Sequence, residues 1–180
     1  MKISLGLNFD LRVQINRIRN KNRYYMEDIL IMLNKILVDL KQMGGINASS
    51  ITSRNGLLIV SDIEMESHAK TFAAMSATML AASETATIEL GKGIPDRVIV
   101  ESDQGKLVVM GAGPDALLVI LTEPDAGLGL ILVELEKTAE KIKRSFDTSN
   151  VSFFIRNEAE DSFLAAKQQG GIVQHAESIL

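Results

Sequence analysis

Two histidines, His68 and His175, are the side chains of this chain best placed by chemistry to move a proton or hold a transition metal near neutral pH. Neither is followed by a second ligand-type residue three or four positions on, the spacing that sets two ligands on one helix face, so no metal site is expected. His68 reads as a surface residue. There is no cysteine, which removes disulfides, thiolate metal sites and cysteine nucleophiles together. No serine stands in a Gly-x-Ser-x-Gly frame. The glycine pairs at 91 and 93, 111 and 113, and 127 and 129 suggest phosphate loops, but none leads into Gly-Lys-Ser/Thr, so turns and helix ends account for them. Glu158, Glu160 and Asp161 form a loose acidic group whose spacing does not fit a calcium loop, and a solvated face explains it. The expectation is a non-enzyme with no catalytic, cofactor-binding or metal-ligating residues.

A chain that lacks its own chemistry works through its surfaces, so the elements that build those surfaces matter most. The 180 residues are 46% hydrophobic and 23% charged, enough for one domain with a real core. The N-terminus does not read as a signal peptide. The longest apolar runs, Leu117–Leu121 and Leu128–Val133, fall far short of the roughly 20 residues of a membrane span. A cytoplasmic protein is expected. The net charge of −4 conceals an asymmetry. Residues 1–25 carry six basic and one acidic side chain, residues 26–146 carry 11 and 17, and residues 147–180 carry two and five. An acidic body argues against nucleic acid as partner. The basic start reads as a solvated extension, residues 26–146 as the domain, and 147–180 as a tail, with Val151–Ile155 a short strand candidate and 158–168 a short helix candidate. Met26 is also a candidate start of translation.

Met26 opens a helix. Glu27 and Asp28 complement its dipole, and Ile29, Leu30, Leu33, Ile36, Leu37 and Leu40 make one apolar stripe that Gly44-Gly45 ends. A hairpin follows: Asn47–Ser53 is polar and β-branched, Arg54-Asn55-Gly56 turns, and Leu57–Val60 is an apolar return strand, expected to be covered on both faces. A long helix spans about Met65 to Leu90. Three strands then succeed one another at Ile94–Ser102, Lys106–Met110 and Ala116–Thr122, joined by turns too short for anything but antiparallel pairing. Asp125 is the N-cap candidate of a last helix reaching Phe146. The fold class is α/β, an α+β sandwich of order αββαβββα. One long helix lies on one face of a five-stranded antiparallel sheet, with two helices on the other.

The long helix is too apolar for a monomer's surface. From Phe72 to Ala82 only Ser76 and Thr78 are polar. Ala69, Ala73, Ala77 and Ala81 recur four apart, as do Ala74, Thr78, Ala82 and Ala86, and small residues let a second helix approach. Alanine is also simply the best helix former, so an ordinary core helix is the competing reading. The dimer interface expected from this pattern comprises Ala69, Phe72, Ala73, Met75, Ser76, Ala77, Met79 and Leu80, joined by Val98 and Val100 of the strand after it.

Four blocks, in this order, resemble the roadblock family of dynein light chains and their bacterial and archaeal relatives: Asn55-Gly56-Leu57-Leu58-Ile59-Val60, Phe72-Ala73-Ala74-Met75-Ser76-Ala77, Gln104-Gly105-Lys106-Leu107-Val108-Val109 and Ala126-Gly127-Leu128-Gly129-Leu130. The resemblance covers residues 26 to about 146. It implies a non-catalytic protein that forms a homodimer, or a heterodimer with a paralogue, by joining sheets edge to edge and pairing the long helices. Ile94–Ser102 would be the joining edge. It also implies a small Ras-like GTPase as partner, which Arg54 or Arg97 would reach if either supplied an arginine to that partner's active site. The alternatives are an accessory subunit of a larger assembly or a small-molecule sensory domain. The latter needs an aromatic-lined cavity, and of eight aromatics only Phe72 and Phe146 fall in the core segment.

Overall fold

The computed structural model describes residues 26–147; the basic start, Val151–Ile155, the acidic group at 158–161 and His175 lie outside the described residues. Helix α1 occupies residues 26–42. Its stripe of Ile29, Leu33, Leu37 and Leu40 is buried, and Gly44 and Gly45, at φ +79° and +72°, turn the chain out of it. Strands β1 (Ile46–Ser53) and β2 (Leu58–Ser61) make the hairpin. Gly56 takes φ +83° in its turn, and the Leu57 N–H donates to the Ser53 hydroxyl at 3.0 Å. Helix α2 (Glu66–Glu89) leads to β3 (Arg97–Ser102), β4 (Gly105–Gly111), β5 (Ala116–Thr122) and α3 (Leu128–Asp147).

The five strands form one sheet in the order β2-β1-β5-β4-β3, antiparallel throughout. Alternation along each strand divides the core in two. On one face Ile51, Val108, Met110, Leu118 and Ile120 meet α1 and α3; on the other Val109, Leu117 and Val119 meet Ala77 and Leu80 of α2. One long helix against one face and two against the other is the expected arrangement.

Three local expectations are corrected. β2 is an edge strand, not a doubly covered one: Leu58, Ile59 and Ser61 are half-buried and only Val60 is buried. Its apolar run has no neighbour beyond it, and its register with β1 slips between Ile51 and Thr52. β3 begins at Arg97, because Pro95 has no N–H to give a ladder and Ile94 stays 70% exposed in the connection. Asp125 lies in a turn, where the Ala126 N–H donates to Glu123, and Gly127 receives the first bonds of α3 from Leu130 and Ile131.

Candidate interaction surface

The surface of interest is built where α2 runs beside β3. Five of the hydroxyl side chains on α2 turn back on their own helix: Thr71, Thr78, Ser83, Thr85 and Thr87 each donate to the carbonyl four residues earlier, at 2.9–3.0 Å. Such bonds satisfy the hydroxyls locally and leave methyl and methylene groups outward. The helix therefore presents little polarity on any side. What distinguishes its faces is the sheet.

The ten expected interface residues separate by face. Ala69, Ala73, Ser76, Ala77 and Leu80 are at most 6% exposed and lie against the chain's own sheet. The small size of Ala69, Ala73, Ser76 and Ala77 lets α2 approach the sheet closely, where β1 contributes the small Ser50 and Thr52. These five were expected on a dimer interface; the structure places them in the monomer's core. Phe72 and Met79 are half-buried and border the same buried cluster as Val98 and Leu107, while Ala74 on the other flank of α2 and the sheet-facing Ala77 lie against Gly56 of the β1–β2 turn, so the Phe72–Met79 flank lies toward β3. Met75, three residues from one and four from the other, continues that flank outward and is 63% exposed. Val98 and Val100 stand on the same face of the sheet as α2, Val98 half-buried and Val100 43% exposed.

Among the described residues β3 pairs only with β4, so within them its outer edge carries unpaired backbone groups. It spans six residues in unbroken register, with a β-branched centre of Val98, Ile99 and Val100 and neither proline nor lysine within it. Of the devices that keep edges from pairing, β3 has no proline, lysine or bulge, and its charged residues Arg97 and Glu101 only flank the apolar centre. The exposed β3 edge and the apolar flank of α2 are thus one continuous surface.

Other candidates read differently in three dimensions. His68 is exposed in the first turns of α2. Among the described residues no group of three or more metal-ligating side chains comes together. An open cleft of about 570 Å³ lies between the end of the sheet and helices α2 and α3, lined by Arg54, Glu84, Asp96, Glu136, Glu140 and Lys143 with a small apolar floor. No aromatic residue lines it. Arg54 is committed there: its Nη1 donates to both Glu84 oxygens at 2.8 and 3.1 Å, and its Nε donates to the Gly113 carbonyl at 3.2 Å. Arg97 is paired with Glu136 at 2.9 Å. Neither guanidinium projects as a free arginine. No helix among the described residues is long and apolar enough to cross a membrane.

Comparison with known proteins accords with this architecture. A protein of Methanocaldococcus jannaschii named only as uncharacterised is 32% identical over 115 residues, covering 64% of this chain and 100% of the relative. The MglB structure of Myxococcus xanthus superposes with a TM-score of 0.61 at 18% identity, over 66% of this chain and 90% of that one. The Roadblock/LC7 domain from Streptomyces avermitilis gives 0.60 at 22% identity, over 63% and 96%. The family model described as Roadblock/LC7 domain matches residues 32–122, from the middle of α1 to the end of β5, and the chain belongs to that family.

Proposed function

We propose that this chain is a non-catalytic, cytoplasmic homodimer that serves as a binding module for a small Ras-like GTPase. One observation carries the dimer: an unpaired, undefended β3 edge continuous with the exposed apolar flank of α2. A second copy docked about a two-fold axis pairs β3 with β3 and lays the two α2 helices side by side. Phe72, Met75, Met79, Val98 and Val100 then meet their counterparts, and on the order of 800 Å² is covered on each partner, the size of a stable interface. The sheet-facing residues of α2 support this surface from behind without touching the partner.

The GTPase rests on the family resemblance. With both Arg54 and Arg97 held in ion pairs, the module acts on its target by holding or presenting it and does not insert an arginine. The test is affinity purification of the tagged full chain from its native cell, with and without a non-hydrolysable GTP analogue, alongside light scattering of the purified protein. Nucleotide-dependent recovery of a Ras-like GTPase on a dimeric bait is expected. Partners indifferent to nucleotide overturn the GTPase reading, and a monomer at micromolar concentration overturns the dimer.

A further inference from the structure

The β3 strand also carries enough information to fix its own pairing register and to select a second copy of itself. We infer that two β3 strands pair antiparallel about a two-fold axis at Ile99, so that Arg97 stands opposite the partner's Glu101. This rests on the edge-to-edge dimer proposed above and adds its register and selectivity.

In a symmetric pairing that keeps both α2 helices on one side, opposed residues must point to the same face of the joined sheet, because side chains alternate. Val98 shares the α2 face with its β4 partner Val109, while Ile99 shares the opposite face with Val108. Only registers centred on a residue satisfy this rule. Centred at Val98, Arg97 faces an isoleucine and Val100 faces an aspartate, Asp96. Centred at Val100, the apolar Ile99 faces a glutamate and Val98 faces a serine. Centred at Ile99, Val98 faces Val100 twice, Ile99 faces itself, and Arg97 faces Glu101 twice. That register alone sets apolar against apolar and charge against opposite charge at every position from 97 to 101.

The local geometry accords with it. Arg97, Ile99 and Glu101 share the α1/α3 face. Arg97 is paired with Glu136 of α3 at 2.9 Å with a quarter of its side chain exposed, and its five-donor guanidinium can take a second carboxylate from a neighbouring strand without leaving Glu136. Glu101 is exposed, stands opposite Lys106 in the β3–β4 pair, and has no ion pair among the described residues. A strand carrying arginine at one end and glutamate at the other complements itself only when inverted, which is what a two-fold axis does. A paralogue lacking this pair of charges loses both contacts, so the ends of β3 favour self-association over mixed pairing.

The experiment uses three full-length variants: Arg97→Glu, Glu101→Arg and the double exchange. Opposite charges across strands attract and like charges repel, so each single reversal converts two attractive contacts into two repulsive ones. Dimerisation of each should weaken on the order of tenfold per contact, about a hundredfold in all. The double exchange should dimerise as the wild type does. Mixing the two single variants should give a heterodimer, seen by native mass spectrometry, because one chain then offers only acids and the other only bases at positions 97 and 101. A folding defect in Arg97→Glu is not rescued by mixing, and Glu101→Arg leaves the Arg97–Glu136 pair untouched. Single variants that dimerise like the wild type, or a mixture with no heterodimer preference, overturn the register while leaving the dimer standing. A monomeric wild type overturns the dimer itself.

Discussion

Replacing Met75 by glutamate separates the two roles of α2. Met75 is 63% exposed, so in the monomer the change meets water and costs little. In the dimer the same side chain is covered by the partner's helix. Each copy then forgoes about 1–2 kcal/mol of apolar burial and adds a desolvation penalty of about 1 kcal/mol for a carboxylate without a partner. Symmetry counts this twice, so the dimer weakens by about 4–6 kcal/mol, a dissociation constant roughly a thousandfold or more higher. The matched control is Ala77→Glu, on the sheet-facing row at 6% exposure in contact with Leu117 and Val119, where a carboxylate unfolds the monomer. Sedimentation velocity over a concentration series, read with thermal melts by circular dichroism, distinguishes them. Met75→Glu should be a folded monomer and Ala77→Glu an unfolded chain. If Met75→Glu dimerises with the wild-type constant, the flank is not the interface. If it melts with Ala77→Glu, α2 is rotated from the orientation described.

Four further expectations concern the body of the domain. Arg54→Ala removes the bonds to Glu84 and Gly113 and leaves Glu84, 19% exposed, without its counter-charge; a loss of about 2 kcal/mol, or roughly 8 °C in melting temperature, should follow, mostly relieved by adding Glu84→Gln. Gly56→Ala should cost about 2 kcal/mol in a urea titration, because φ is +83° and the new methyl would sit 3.0 Å from the Ala74 Cα on the helix backbone. Ser76→Ala should stabilise by about 1 kcal/mol in the same titration, since its buried hydroxyl has no partner among the described residues and alanine is the better helix former. The Lys70 ammonium, by hydrogen bond and charge, holds the Glu66 carboxyl below the usual carboxylate range, so this contact is present above that range and lost as pH falls through the lowered value; carbon-detected NMR titration of Lys70→Gln should return Glu66 to its ordinary value.

Elements with two distinct sides were legible in the sequence. The stripes of α1 and α3 fall on the buried faces because nearly all the charged residues of these helices lie off them, although Ile31, Val38, Leu130 and Val133 are also exposed there, and the turns at Asn55-Gly56 and Gln104-Gly105 fix the hairpins. The strand next to the first turn was harder. β1 reads as polar, yet Ser49, Ser50, Thr52 and Ser53 are all buried, because β1 sits between β2 and β5 with Ser50 and Thr52 on the α2 face and Ser49 and Ser53 on the α1/α3 face. Its hydroxyls serve as small residues, a role that composition does not reveal. α2 fails for the converse reason. With almost no polar side there is no sequence signal for which alanine row faces the sheet, so the sheet-facing and exposed rows were merged into one interface. The missing signal was in the partner strand: the small residues of α2 match the small residues of β1, and only the large ones, Phe72, Met75 and Met79, remain for the flank.

The width of the sheet explains why this flank is left open. Five strands about 4.8 Å apart span roughly 19 Å, and packed helices lie about 8–10 Å from one another, so covering one face takes two helices. The face under α1 and α3 has two, and Val108, Met110, Leu118 and Ile120 are all buried there. Among the described residues the opposite face has one. α2 seals Ser50, Thr52, Leu117, Val119 and Val109 over the middle of the sheet, and its cover thins toward β3, where Leu107 and Val98 are half-buried and Val100 is exposed. The monomer is thus one helix short on the side where its edge is also unpaired. The proposed two-fold partner would meet both shortages at once: its β3 would extend the sheet, and its α2 would lie beside the first over the β3 end. A monomeric binding module would need some other cover for Val98, Val100 and Leu107, and none of the described elements provides it.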